Sequence, residues 1–245
     1  MVTNVSTSHM VKLAGREPVA EGTMAFHFEK PGDFQFISGQ YVDATLIDPP
    51  ETDAEGNIRS FSIVSAPFED RLTLATRMRD TAFKRVLKSS PLGLQVKFDG
   101  PMGSFTLHKN ASKPAVFLAG GIGITPFVSI LRHAAHEKLP HKLFLFYSNR
   151  RPEDAPFLKD LAALAAYNQN FQFVPSMSEM QNSQQKWSGE TGFIDRNMVA
   201  KFLPDLNGPI YYIAGPPGMV TAMRDMLVKA NVDEDDIRTE EFAGY

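Results

Sequence analysis

The sequence predicts a two-part fold: a β-structured half followed by an α/β half. Three observations carry that prediction. Up to about residue 108, short apolar and β-branched runs recur between Gly and Pro breaks. From Lys113 onward, strand-like apolar runs alternate with helix-length segments, the signature of a parallel sheet covered by helices. The first of those later runs ends in a glycine-rich turn that opens a helix. A chain of 245 residues accommodates two modest domains, and the change of pattern divides it into residues 1–110 and 111–245.

In the first half the strand candidates are residues 24–28, 41–46, 61–64 and 72–75, separated by Pro31-Gly32, Gly39, Pro49-Pro50, Gly56 and Pro67. Closely spaced short strands of this kind predict a barrel or sandwich. Residues 49–57 are polar and acidic and read as a hairpin loop, and residues 81–88 read as one helix with Phe83 and Leu87 on a shared face. In the second half, strands are expected at 115–119, 143–147, 171–174, 210–214 and 237–242, with helices at 126–136, 155–166 and 217–230. An open parallel sheet with helices on both faces binds its ligands at the carboxyl ends of its strands. The acidic run 233–236 reads as a solvated helix end.

Composition narrows the function. Hydrophobic residues are 43% and charged residues 22%, enough for a sizeable core. A net charge of −3 with interspersed signs argues against nucleic acid or an anionic membrane as partner. With no cysteine, the chain has no disulfide, no thiolate nucleophile and no cysteine-ligated zinc or iron–sulfur cluster. No long apolar stretch marks a signal peptide or membrane span, so the expected compartment is the cytoplasm. The six histidines are scattered, no hydrolase-type acid–base pair is visible, and His133, His136 and His141 read as helix-surface or loop residues.

Five stretches carry chemistry. In Arg59-Ser60-Phe61-Ser62-Ile63-Val64-Ser65, strand alternation puts Arg59 and Phe61 on one face and Ser62 on the other. Such residues suit phosphate binding, ring stacking and a hydrogen bond to a ring nitrogen, and equally an ordinary core strand. Gly100-Pro101-Met102-Gly103-Ser104-Phe105 reads as a turn. Gly120-Gly121-Ile122-Gly123-Ile124-Thr125-Pro126 joins strand to helix, where free amides and the helix dipole favour a phosphate-bearing ligand. Tyr212-Ile213-Ala214-Gly215-Pro216-Pro217-Gly218-Met219 makes a second such junction, and Glu240-Glu241-Phe242-Ala243-Gly244-Tyr245 ends the chain.

In this order, across nearly the whole chain, the stretches resemble the ferredoxin–NADP reductase superfamily of flavoproteins. The resemblance implies an antiparallel flavin-binding β-barrel over 1–110 and a Rossmann-like parallel-sheet nucleotide-binding domain over 111–245. It implies that Arg59 contacts the flavin pyrophosphate, that Phe61 and Ile63 lie near the isoalloxazine, and that Ser62 hydrogen-bonds near N5. Thr76, Arg77, Met78, Thr81, Phe83 and Lys84 match the phosphate-cradling region. Relatives commonly carry a serine in that turn, so here the cradle leans on backbone amides and Lys84. Gly120, Gly121, Gly123, Ile124, Thr125 and Pro126 match the nucleotide-binding turn, with Thr125 facing the gap between flavin and nicotinamide. Ser148, Asn149 and Arg150 follow the next strand, and Gly215, Pro216 and Met219 border the nicotinamide. Ala214 stands where many relatives have a cysteine. Phe242, or alternatively Tyr245, would shield the flavin beside the Glu240 carboxylate, so that catalytic roles fall on Ser62, Glu240 and Phe242.

The implied function is a flavin-dependent NAD(P)H oxidoreductase that passes electrons to a ferredoxin, a flavodoxin, an oxygenase component or a small oxidant. Arg59 and the cradle favour FAD over FMN. NADPH-using relatives often carry arginine after a serine or threonine at the end of the third strand. Here that stretch is Ser176-Met177-Ser178-Glu179, whose carboxylate favours NADH, while Asn149-Arg150-Arg151 offers two cations that would suit NADPH or simply be solvated. Arg77, Arg79, Lys84 and Arg85 would dock an acidic carrier, or equally be solvated. The rival readings are a reductase of free flavin or ferric chelates, a non-catalytic flavin-binding redox sensor or regulatory subunit, and an α/β binding module without flavin.

Overall fold

Alternation along the chain decides which side chains meet. In β2 (Thr23–Glu29) Phe26 and Phe28 turn inward, and in β5 (Arg71–Arg77) Leu72 and Leu74 do the same. The computed structural model describes residues 7–203 and 205–242, and these two strands join β1 (Thr7–Ala20), β3 (Tyr41–Leu46), β4 (Ile58–Ser62) and β6 (Gln95–Met102) in an antiparallel sheet of order β4-β3-β6-β1-β2-β5. The Val64 N–H donates to Thr73 O at 2.8 Å, which returns the end of β4 to β5 and closes the sheet on itself. Its core is aromatic, with Phe26, Phe28, Phe34, Phe83 and Phe98 packed together. Phe83 and Leu87 come from α1 (Ala82–Ser89), and both are buried, as their spacing predicts.

The second half holds β7 (Ala115–Gly120), β8 (Leu143–Asn149), β9 (Phe171–Met177), β10 (Glu190–Thr191), β11 (Ile210–Gly215) and β12 (Ile237–Glu241), parallel and in the order β10-β9-β8-β7-β11-β12. Strands β7 and β11 are buried at every position, as central strands of a sheet covered on both faces must be. Helices α2 (Thr125–His136) and α3 (Leu158–Tyr167) pack on one face, while α4 (Arg196–Phe202) and α5 (Pro217–Lys229) pack on the other. Strand order reverses at β7, so the crevice at its carboxyl end is where the topology places a ligand.

Three sequence expectations are corrected. Strand β4 starts at Ile58, earlier than expected, because Ile58 and Arg59 already pair with Thr45 and Ala44 of β3, and it ends at Ser62, before Val64 turns to β5. The acidic run is not a helix end: Glu234–Asp236 forms a 3-10 turn leading into β12, and Asp236 pairs with Lys113 at 2.7 Å. His141 lies in the loop before β8, one of the two expected places, but it is not at the surface. It is buried and donates from Nε2 to His108 O at 2.9 Å.

That bond belongs to a polar cluster tying the segment between the two sheets onto β11 and β12. His108 Nε2 lies 2.9 Å from Lys113 O, so it carries the proton, and Nδ1 accepts from the Tyr212 hydroxyl at 3.0 Å. The same hydroxyl accepts from the His108 backbone N–H at 2.8 Å and from Arg238 at 3.1 Å. Burial, first, holds the His108 imidazole below its ordinary range, consistent with this neutral tautomer. Among the described residues no helix is long and apolar enough to cross a membrane.

Candidate active site

Two clefts lie side by side where the sheets meet. Thr76 and Arg77, consecutive on β5, face opposite ways and contribute one side chain to each.

The first cleft, about 500 Å³, is bordered by Arg59, Phe61 and Ser62 of β4, by Thr76, and by Arg79, Thr81 and Lys84 around the start of α1. Strand β12 supplies the remaining wall. It runs parallel to β11 with Glu241 opposite Gly215, and the Phe242 N–H donates to Gly215 O at 3.0 Å, which delivers Glu240, Glu241 and Phe242 into the cleft. Among the described residues Glu240 Oε2 is buried without a hydrogen-bond partner, and burial pushes its carboxyl up to about 7. Burial, helped by the Arg79 and Arg59 charges, pushes the Lys84 amine down to about 8.

The second cleft, about 240 Å³, is bordered by Gly120, Gly121, Ser148, Asn149, Arg150, Pro216 and Met219. Gly121 has φ +52°, and a Cβ on Gly123 would lie 2.4 Å from Ala214 O, so the turn after β7 packs backbone to backbone against β11. No side chain larger than hydrogen fits there.

Several predicted residues sit elsewhere. Ile63 is buried in the barrel core, and Met78 packs against that core. Phe83 lies beneath the first cleft, with its ring 5.8 Å from Phe61 and under the Arg59 guanidinium at 5.3 Å. Thr81 does border the first cleft, and its Oγ also caps α1 by accepting from the Lys84 N–H. Ile124, Thr125 and Pro126 are buried under the turn, and Thr125 does not open onto the gap because its Oγ donates to Ile122 O at 3.0 Å. Tyr245 lies outside the described residues.

Arg59 lies at the first cleft but is not open. It pairs with Glu55 at 2.9 Å and Asp53 at 3.7 Å, both from the acidic loop between β3 and β4. Asp53 also accepts the Ala82 N–H at 2.6 Å at the start of α1, and this bond, before all else, holds its carboxyl below the usual range. Arg85 pairs with Glu51 at 2.6 Å and also with Asp80, so within the expected cationic docking patch its charge is matched by carboxylates.

Sequence reasoning missed Tyr41 and Phe193. Tyr41 pairs across β3 with Ser62 and borders the first cleft. Phe193 is 80% exposed at the second cleft, and an aromatic following Gly192 in a polar stretch was the available signal.

Residues 117–225 match the family described as the oxidoreductase NAD-binding domain. Over 236 residues the chain is 29% identical to the reductase component of propane 2-monooxygenase from Gordonia sp. (strain TY-5), covering 94% of this chain and 66% of that protein. Among solved structures it resembles the Amycolatopsis cytochrome P450 reductase GcoB, with a TM-score of 0.83 at 24% identity, covering 99% of this chain and 72% of the other. It also resembles a ferredoxin NADP+ reductase from Neisseria gonorrhoeae with bound FAD and NADP, with a TM-score of 0.78 at 22% identity, covering 96% and 98%. The chain spans 66% or less of the length of the first curated relatives it matches. A closed antiparallel sheet joined to a parallel one, with the glycine turn at the strand-order reversal, is the architecture the chain shares with these structures, so its fold is that of ferredoxin–NADP reductase-like proteins, with an oxidoreductase NAD-binding domain over residues 117–225.

Proposed function

We propose that this chain is an FAD-dependent NAD(P)H oxidoreductase that uses NADH by preference and passes electrons to a ferredoxin-like protein or another component of an oxygenase system. In this reading residues 1–110 hold the flavin, residues 111–245 hold the nucleotide, and the protein works in the cytoplasm. The observation that carries it is the meeting of two clefts along Thr76 and Arg77, one lined with cations and hydroxyls, the other with a glycine turn at a strand end.

The first cleft fits FAD. Arg59, Arg79 and Lys84 suit a diphosphate, and the unpaired Glu240 Oε2 suits a group bearing N–H donors. When bound, FAD supplies a two-electron acceptor that can release electrons singly. Ser62 holds a proton-donating hydroxyl at the cleft floor, Phe61 and Tyr41 orient a flat ring, and Phe242 excludes water from the side facing the nucleotide. Glu240, neutral up to about pH 7, holds a proton beside Ser62 and Phe242.

NADH preference is supported by the second cleft. Arg151 is committed to Asp154 at 2.8 Å and to Glu21 at 2.9 Å, so of the Arg150-Arg151 pair it is Arg150 that lines the cleft, together with Arg77 of β5. The Glu179 N–H donates to Arg150 O, which holds a carboxylate-bearing residue next to Arg150 and Ser178 of the second cleft, where it would disfavour a 2′-phosphate. The oxygenase acceptor follows from the naming of relatives as monooxygenase and dioxygenase reductase or electron-transfer components. A second reading, reduction of free flavin, draws on the Arg59–Glu55 pair, which weakens the hold on a diphosphate.

Anaerobic titration of the dialysed protein tests these readings. Bleaching of a retained flavin band by stoichiometric NADH, and far less readily by NADPH, is expected. A protein that loses its flavin on dialysis but reduces added flavin with NADH supports the second reading. A flavin band that neither nucleotide bleaches overturns both.

A further inference from the structure

Helix α2 leaves the nucleotide turn and runs along the barrel, and three of its side chains touch the segment that follows β4. Ser129 Oγ donates to Ser65 O at 2.7 Å, with both residues 0% exposed. Arg132 reaches Glu69 at 3.4 Å, and the His136 ring stacks on Phe68 at 3.8 Å between centroids. Positions 129, 132 and 136 share one helix face, while Phe127, Ile130 and Leu131 are buried in the core beneath the parallel sheet.

The receiving segment is itself tied to the barrel. Ser65 Oγ accepts the Thr73 N–H at 3.0 Å, and Glu69 Oε1 accepts the Ala66 N–H at 3.0 Å. Through Ser65 and Val64, α2 is therefore fastened to β4 and β5, the strands that carry Ser62 and Thr76 into the first cleft. Of the three contacts, the Ser129 bond alone is sealed from water on both sides. The Arg132 pair is about a quarter exposed on each partner and the His136 side chain is half exposed. Exposed pairs contribute little, and a buried carbonyl that loses its donor cannot recruit water freely.

Ser129 sits eight residues beyond Gly121, which borders the nucleotide cleft, and Ser65 sits three residues beyond Ser62. We propose that Ser129 is a positioning residue whose bond to Ser65 O sets the separation between the strand at the flavin and the turn at the nucleotide, and so the spacing of the two cofactors. This inference rests on the oxidoreductase reading. Its consequence is kinetic, because a misplacement of about 1 Å costs transfer between bound groups roughly 100-fold.

Ser129→Ala removes the donor, and Ser129→Thr keeps it. In anaerobic stopped-flow reduction at saturating NADH, Ser129→Ala is expected to slow flavin reduction about tenfold, for a displacement of about half that size. Its FAD content and NADH affinity should stay within about twofold of the parent, its primary isotope effect with C4-deuterated NADH should be larger, and Ser129→Thr should restore all of these. Arg132→Ala should change the rate less than about twofold, as an exposed pair would. Hydrogen–deuterium exchange supplies a readout that needs no turnover: Ser129→Ala should exchange faster over residues 63–70 and 121–128, and Ser129→Thr should not. If Ser129→Ala does not fold, Ser129→Cys, a weaker donor of similar size, is read the same way. Parental reduction rate and isotope effect in Ser129→Ala, or unchanged exchange in both segments, overturns the proposal. Faster exchange in a protein whose parent NADH never reduces upholds the clasp, overturns the kinetic role and sinks the oxidoreductase reading instead.

Discussion

Replacing Glu240 with Gln should make the protein more stable at alkaline pH while leaving it nearly unchanged in acid. Glu240 Oε2 is buried with no partner among the described residues, and burial raises the carboxyl from its ordinary 4.5 to about 7. A change of that size corresponds to about 3 kcal/mol between folded and unfolded states. Solvent in an open cleft screens part of it, so about 1–3 kcal/mol is the working range. The sign follows from proton counts. Below pH 4.5 the acid is protonated in both states and nothing is lost. Between pH 4.5 and 7 the unfolded chain releases the proton and the folded chain keeps it, so stability falls as pH rises. Above pH 7 the full penalty is present. Glutamine has the same shape and no charge, so Glu240→Gln escapes this penalty. Urea unfolding of both proteins at pH 5 and pH 8, with stabilities from linear extrapolation, should show the variant gaining about 1–3 kcal/mol between the two conditions relative to the parent. An equal difference at both pH values would refute the reasoning, since it would mean the carboxylate ionises in the fold at its ordinary pH.

Three more perturbations test neighbouring arguments. Glu55→Gln frees Arg59 from an exposed pair worth under about 1 kcal/mol, so FAD should bind about two- to fivefold tighter by fluorescence titration; weaker binding would mean that Glu55 supports the cofactor. Lys84, pushed down to about 8, must take up a proton when a diphosphate arrives, so FAD affinity should fall as pH rises from 8 to 10, by at most about tenfold per unit, and Lys84→Met should abolish the slope. Tyr212→Phe deletes a hydroxyl held by His108 and Arg238 and should cost about 2–3 kcal/mol in urea unfolding, and a loss under about 0.5 kcal/mol would show that those groups find other partners.

The most legible parts of the fold are those where one physical rule acts alone. β7 and β11 are continuous apolar runs because both faces of a central parallel strand are covered, and the run lengths alone locate them. The turn from Gly120 to Gly123 is legible because backbone contact there demands glycine. β1 is not legible. Its 14 residues bury only Val11 and Leu13, and register shifts at Leu13/Gly15 and Pro18/Ala20 break the alternation that would reveal a strand. α4 and β10 are too short, at seven and two residues, to show a period. At the site, motif position identifies Arg59, Ser62 and Glu240 as cleft residues but mistakes Thr125 and Phe83. A motif records chain position, whereas burial under a turn or beneath a helix depends on what packs above it.

The acidic loop between β3 and β4 belongs to the same argument. Glu51, Asp53 and Glu55 pass for an ordinary polar connection in the sequence. Each carboxylate rests on an anion-seeking group: Glu55 on Arg59 at the first cleft, Asp53 on the first amide of α1 next to Thr81, and Glu51 on Arg85 on the exposed side of that helix. An unsatisfied helix amide and a half-buried guanidinium both need an acceptor. The loop supplies it from within the chain, which lets a cation-lined cleft exist without a bound phosphate. Diphosphate binding is therefore an exchange of acceptors. Its free energy is the difference between phosphate and carboxylate on the same donors, plus the small gain of returning Glu55 and Asp53 to water. Cation count in the cleft alone thus overstates the affinity for a diphosphate, because Arg59 and the first α1 amide already hold carboxylate acceptors.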